Sequence, residues 1–196
     1  MSQFSIYFGE GWKHIANLRG IDHILFIAAL SLRYQFADWR KVLILVTAFT
    51  IGHSITLALS VFNIVNYSQA WIEFLIPVTI LVTAFSNLFV KKFAFKGRFP
   101  AIYFFALFFG LIHGLGFSSY LKGALGRGSG ILIPLLAFNL GLEVGQLLIV
   151  FAILLISFIF VTIFKTSRRE YLLYLSGGIF ALALQMAIER YQALHI

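Results

Sequence analysis

The sequence predicts an all-α, polytopic transmembrane helix bundle of about six spans with both termini outside. Three observations carry that prediction. The chain of 196 residues is 61% hydrophobic and only 11% charged, with a mean hydropathy of +0.95, where soluble domains average about 45–50% apolar and about 25% charged residues. Apolar runs close to the roughly 20 residues that cross a bilayer recur along the chain. The Lys and Arg residues gather at the ends of those runs, as topology signals do.

In order, residues 1–16 form an amphipathic interfacial segment containing Trp12, Lys13 and His14. The first span covers residues 17–36 around GIDHILFIAAL, and the second covers residues 39–62, opened by Trp39. The third covers residues 69–90, with Pro77 predicting a kink, because proline lacks the amide hydrogen of the helix ladder. The fourth covers residues 99–121, with Pro100 suited to a first helical turn. The fifth, residues 133–164, is long enough to tilt or project, and the sixth covers residues 171–191. Residues 1–196 read as a single integral membrane domain.

Loops after the first, third and fifth spans hold Arg33, Arg40, Lys41, Lys91, Lys92, Lys96, Arg98, Lys165, Arg168 and Arg169. The opposite side holds Lys13, Arg19, Lys122, Arg127 and Arg190, an imbalance of ten against five. The basic side is expected to be cytoplasmic. Both termini are then outside, in the periplasm if the membrane is the inner membrane of a Gram-negative cell.

The net charge of +8 belongs to span ends and lipid headgroups, not to a nucleic-acid surface. No cysteine is present, so thiolate ligands, disulfides and thiol catalysis are excluded. The N-terminus lacks a basic region followed by an apolar one and predicts no cleavable signal peptide. P-loop, GxSxG and HExxH motifs are absent, and Ser54 beside His53 points about 100° away from it on a helix. An F-x3-H spacing shared by Phe49–His53 and Phe109–His113 is too little for an internal repeat.

Ionisable residues inside these runs are the functional signal, because charge in lipid is costly. They are Asp22, His23, His53, Glu73, His113 and Glu143. At a rise of about 1.5 Å per residue, His53, His113 and Glu143 lie roughly 12–14 Å below the outer surface and His23 about 10 Å, with Glu73 shallower. The inner half offers only Ser31, Thr83, Ser86, Asn87, Ser157 and Thr162. His23, His53 and His113 form a candidate three-ligand set for a divalent metal, with Asp22 as an alternative ligand or an orienting partner. Imidazole and carboxylate suit Zn²⁺, Ni²⁺ or Co²⁺. Glu143 is the preferred general base and Glu73 a second candidate catalytic carboxylate. Asn139 and Gln146 share the Glu143 face at i, i+4, i+7 and read as substrate-binding groups. Arg19 snorkels to headgroups or grips a substrate carbonyl. His14 reads as interfacial.

The motifs GWKHIANLRGIDHILF, TAFTIGHSITLAL, FFGLIHGLGF and FNLGLEVGQ together resemble the HupE/UreJ family of hydrogenase and urease accessory membrane proteins. The resemblance runs from Gly11 to about Gln146. It implies nickel or cobalt uptake, with Asp22, His23, His53, His113 and Glu143 handling the metal.

Two functions are therefore expected. A through-membrane metal path needs ligands on both sides of its centre, whereas a catalytic pocket needs them on one. That depth asymmetry favours an intramembrane enzyme with a zinc-like ion, acting on lipids or on exported polypeptide N-termini, for example by glutamine cyclisation. The alternative is a nickel/cobalt permease. Besides the bilayer, the expected partners are these substrates.

Overall fold

The computed structural model describes residues 2–17, 20–91, 93, 101–125 and 130–194. Arg19, Lys92, Lys96, Arg98, Pro100, Arg127 and His195 lie outside the described residues.

All regular structure among the described residues is helical. The elements are α1 (Gln3–Ile15), α2 (Asp22–Ser31), a 3₁₀ turn (Phe36–Asp38), α3 (Trp39–Val61), α4 (Gln69–Leu88), α5 (Ala101–Leu125), α6 (Leu132–Phe158) and α7 (Arg168–Ala193). A π-helical turn (Ile159–Ile163) extends α6. Local chemistry sets several boundaries. The Ser2 side chain accepts from the Ser5 amide and caps α1, meeting one of the unsatisfied donors of a helix start. Past α3, Asn63 takes φ 57°, a left-handed conformation that asparagine tolerates. The Ile64 amide then bonds back to the Leu59 carbonyl, closing the helix end. Pro77 sits inside α4 and leaves the Glu73 carbonyl without its helical donor.

Five helices, α3 to α7, are long and apolar enough to cross a membrane. The first expected span differs. α2 has only ten residues, about 15 Å at the helical rise, half of a roughly 30 Å hydrocarbon core. The helix is not continuous, since α1 ends at Ile15 and α2 begins at Asp22. The interfacial reading of α1 is also corrected, because α1 packs along α6. A Cβ on Gly11 would strike the Phe138 carbonyl, and one on Gly141 would strike the Phe8 carbonyl. The two glycines let the backbones touch, as small residues do between membrane helices.

The same device joins α3 to α5. Gly52 meets the Leu107 carbonyl, while Gly110 and Gly114 meet those of Phe49 and His53. Thr56 on α3 adds a 2.7 Å hydrogen bond to the Leu111 carbonyl. α4 and α7 form a third extensive pair, joined by Asn87 to Ser176 at one end and Glu73 to Arg190 at the other. α2 fits among these pairs, with Phe26 fully buried against Phe49, Phe109 and His113. The outer belt is aromatic and aliphatic, with Phe104, Phe105 and Phe108 more than half exposed.

Candidate metal site

His14 comes from the last turn of α1, His23 from the start of α2, His53 from mid-α3 and His113 from mid-α5. One nitrogen each from His14, His23 and His53 falls within 4.8 Å of the other two. The His113 ring stands beside this group, 5.1 Å from the His23 ring. His53 and His113 are fully buried and His23 nearly so. Several ring nitrogens nonetheless have no partner among the described residues. His14 Nε2, His23 Nε2, both nitrogens of His53 and Nδ1 of His113 are buried without a hydrogen-bond partner. A buried polar atom left unpaired costs about 1–3 kcal/mol, so five together are the signature of a place that receives a ligand. The donor set, imidazole without thiolate, suits Ni²⁺, Co²⁺ or Zn²⁺.

Neighbours orient the rings. Asp22 Oδ1 lies 3.1 Å from His23 Nδ1 and also accepts the His23 amide at 2.9 Å. A neutral His23 with its proton on Nδ1 would donate to this carboxylate and leave Nε2 as the lone-pair nitrogen, the arrangement of an outer carboxylate behind a metal-binding histidine. Asp22 is thus placed to orient His23. His113 Nε2 is 3.0 Å from Thr79 Oγ1, whose hydrogen goes to the Ile76 carbonyl at 2.7 Å. His113 is then the donor to Thr79, which leaves its Nδ1 lone pair free.

The expected ligand set needs one correction. His14, read as interfacial, joins His23 and His53 in the tightest group, and His113 stands next to it. Gly11, His14 and Ile15 follow i, i+3, i+4 spacing, and Gly11 and Ile15 are buried. That stripe was the available signal, hidden because the segment also carries charge.

Asp22, His14, His23 and His113 line an open cleft of about 230 Å³ together with Glu73 and Arg190. Glu73 pairs with Arg190 at 3.2 Å and accepts from Gln69 at 3.2 Å.

Glu143, Asn139 and Gln146 do not join the histidines. Glu143 and Asn139 line a separate groove between α3 and α6. Glu143 accepts from Thr47 at 2.9 Å, and Gln146 accepts from Thr50 at 2.7 Å. Equal depth misled here. Thr47 and His53 are six residues apart, about 240° around a helix of 3.6 residues per turn. A side chain that meets Thr47 therefore lies round α3 from the histidine.

The sequence model of the family described as "HupE / UreJ protein" matches residues 1–190. The chain belongs to the HupE/UreJ family. No curated protein and no solved structure matches it. Membership overturns the reading as an intramembrane enzyme working on exported polypeptides or lipids. The site agrees with that correction, since a general base must come within about 2.6–3.2 Å of the proton it takes and Glu143 is bonded across a different groove. Of the residues that the HupE/UreJ resemblance marked, Asp22, His23, His53 and His113 are gathered in one place and Glu143 is not.

The orienting role of Asp22 has a direct consequence. In Asp22→Asn the side chain keeps its size but loses the charge that fixes the His23 tautomer. Metal affinity, measured by equilibrium dialysis of detergent-purified protein, should fall about 10–100-fold with thermal stability retained. Unchanged affinity would remove Asp22 from the site.

Proposed function

We propose that this HupE/UreJ protein is a divalent-metal permease whose substrate is nickel or cobalt. The observation that carries the reading is the cluster of unpaired imidazole nitrogens set at the head of a polar stripe on α4. Thr79, the partner of His113, is followed by Thr83, Ser86 and Asn87 at i+4, i+7 and i+8, one helical face. Along this stripe, among the described residues, the side chains are hydroxyl and amide groups and none is an ionisable ligand. Such groups, with water, can carry an ion.

A second cleft, of about 270 Å³, lies further along the same α4–α5 seam and is lined by Thr83, Ser86, Phe109 and Arg33. Arg33 donates to Ser86 and Asn87 at the far end of the stripe. The Phe26 ring lies against both His113, which lines the first cleft, and Phe109, which lines the second. Three imidazoles without thiolate also favour binding firm enough to select and weak enough to release.

In this reading the histidine cleft opens outward, to the periplasm of a Gram-negative cell. Arg33, Arg168 and Arg169 mark the cytoplasmic end. Arg168 and Arg169 donate to the carbonyls of Arg33 and Val90, which puts these basic residues together at one end of the bundle. The excess of positive charge supports that direction.

Cells producing the wild-type protein should accumulate nickel or cobalt above a vector control, measured by mass spectrometry of washed cells. His53→Ala, present in the membrane at the same level, should return accumulation to the control. No difference between wild type and vector for either metal would contradict the reading.

A further inference from the structure

The cleft that holds the histidine nitrogens also carries an ion pair. Glu73 on α4 and Arg190 on α7 line it with His14, Asp22, His23 and His113, and their side chains meet at 3.2 Å. Exposure grades along the lining. His113 is fully buried and His23 is 5% exposed, whereas the Glu73 and Arg190 side chains are 43% and 37% exposed. The ion pair therefore stands at the open end of the cleft, and unpaired imidazole nitrogens lie deeper in it.

Glu73 is held in this position from two sides. Gln69, one turn earlier on α4, donates to Glu73 Oε1 at 3.2 Å and to the Gly116 carbonyl of α5 at 2.9 Å. It also accepts from Ser119 of α5 at 3.2 Å. The carboxylate is thus tied to the helix that carries His113. Arg190 reaches it through the other oxygen, Oε2.

The cleft has two carboxylates. Asp22 is engaged with His23 at 3.1 Å, so Glu73 is the one an arriving cation can take. Its partner is the single positive charge of Arg190. An ion pair this exposed contributes little to stability, and α4 and α7 are already extensively packed. The pair is therefore inexpensive to open. A divalent ion carries twice the charge of a guanidinium and attracts the same carboxylate more strongly.

We propose that Glu73 is the entry ligand of this permease and that Arg190 is the resident cation which the arriving metal displaces. The inference rests on the permease reading and concerns the step before the histidines bind. Glu73 captures the hydrated nickel or cobalt ion at the open end, and Arg190 yields the carboxylate. The ion then exchanges water for the nitrogens of His14 and His23, and Arg190 returns to Glu73. Competition from Arg190 keeps the entry site from holding the ion too long. Conduction needs that balance between entering a site and leaving it.

The test is nickel uptake into proteoliposomes holding the full chain, with initial rates taken across nickel concentration at low salt. Glu73→Gln keeps an oxygen acceptor for Gln69. It should raise the KM for nickel about tenfold, the low end of electrostatic capture by a charged cleft. Its maximal rate, and its nickel affinity by equilibrium dialysis in detergent, should stay near those of the wild type. Arg190→Gln should lower KM by a similar factor, and should have no effect of its own when combined with Glu73→Gln. Both shifts should shrink as salt is raised. A purely structural pair would move KM in the same direction in both single variants, and that result would overturn the proposal. So would a wild-type KM in Glu73→Gln. Wild-type liposomes that take up neither nickel nor cobalt would instead remove the permease reading itself, and this entry step with it.

Discussion

His14→Ala should abolish nickel and cobalt retention. His14 supplies one of the three nitrogens that lie within 4.8 Å of one another. The nearest substitute, His113, has its ring held by Thr79. Loss of a partner behind a ligand typically lowers metal affinity about 10–100-fold, and loss of a ligand should exceed that. His53→Ala should do the same. Equilibrium dialysis against each metal, with thermal unfolding as the check on folding, separates the cases. The His14 result is the sharper, because an interfacial histidine could be removed with no effect on binding. Wild-type retention in a folded His14→Ala protein would return the site to His23, His53 and His113.

Gly110→Leu should be the most disruptive change outside the metal site. A Cβ at Gly110 would overlap the Phe49 carbonyl and crowd the His53 amide. Both are backbone atoms of a helix, so neither can rotate away. Overpacking a well-fitted core costs about 1–3 kcal/mol, and a contact made of rigid backbone belongs at the upper end. The forced separation also moves His53 relative to His113, so stability and metal affinity should fall together. Gly177→Leu is the matched control, because a Cβ there meets nothing within 4 Å. In detergent, Gly110→Leu should melt well below the wild type and Gly177→Leu close to it. Equal melting temperatures for the two variants would show that the α3–α5 contact is looser than described.

Much of this fold was legible in the sequence, because lipid imposes a simple rule: long apolar runs must be helices. α3 to α7 follow the runs that composition marks. The break between α1 and α2 was not legible. The stretch from Asn17 to Asp22 is polar, and a search for one full-length span absorbs it into a helix. α1 itself looked interfacial because Glu10, Lys13 and His14 disguise the Gly11 contact with Phe138.

The site was half legible. His23, His53 and His113 stood out as ionisable groups inside apolar runs, and they do come together. Glu143 stood out for the same reason and lies elsewhere. Depth along a helix axis follows from counting residues, but direction around the axis is fixed only when the neighbouring helix is known. The polar residues of the inner half were visible one by one. Their alignment on α4, from Thr79 to Asn87, changes what they imply, since a face of hydroxyl and amide groups offers a route where isolated groups do not.

The most direct test of metal passage through the histidine cluster is radiolabelled nickel uptake into proteoliposomes holding the wild type, His14→Ala or His53→Ala. Uptake by the wild type, saturating with nickel and lost in both variants at equal protein incorporation, is the predicted result. Wild-type uptake no greater than in empty liposomes, or full uptake in both variants, would contradict the account.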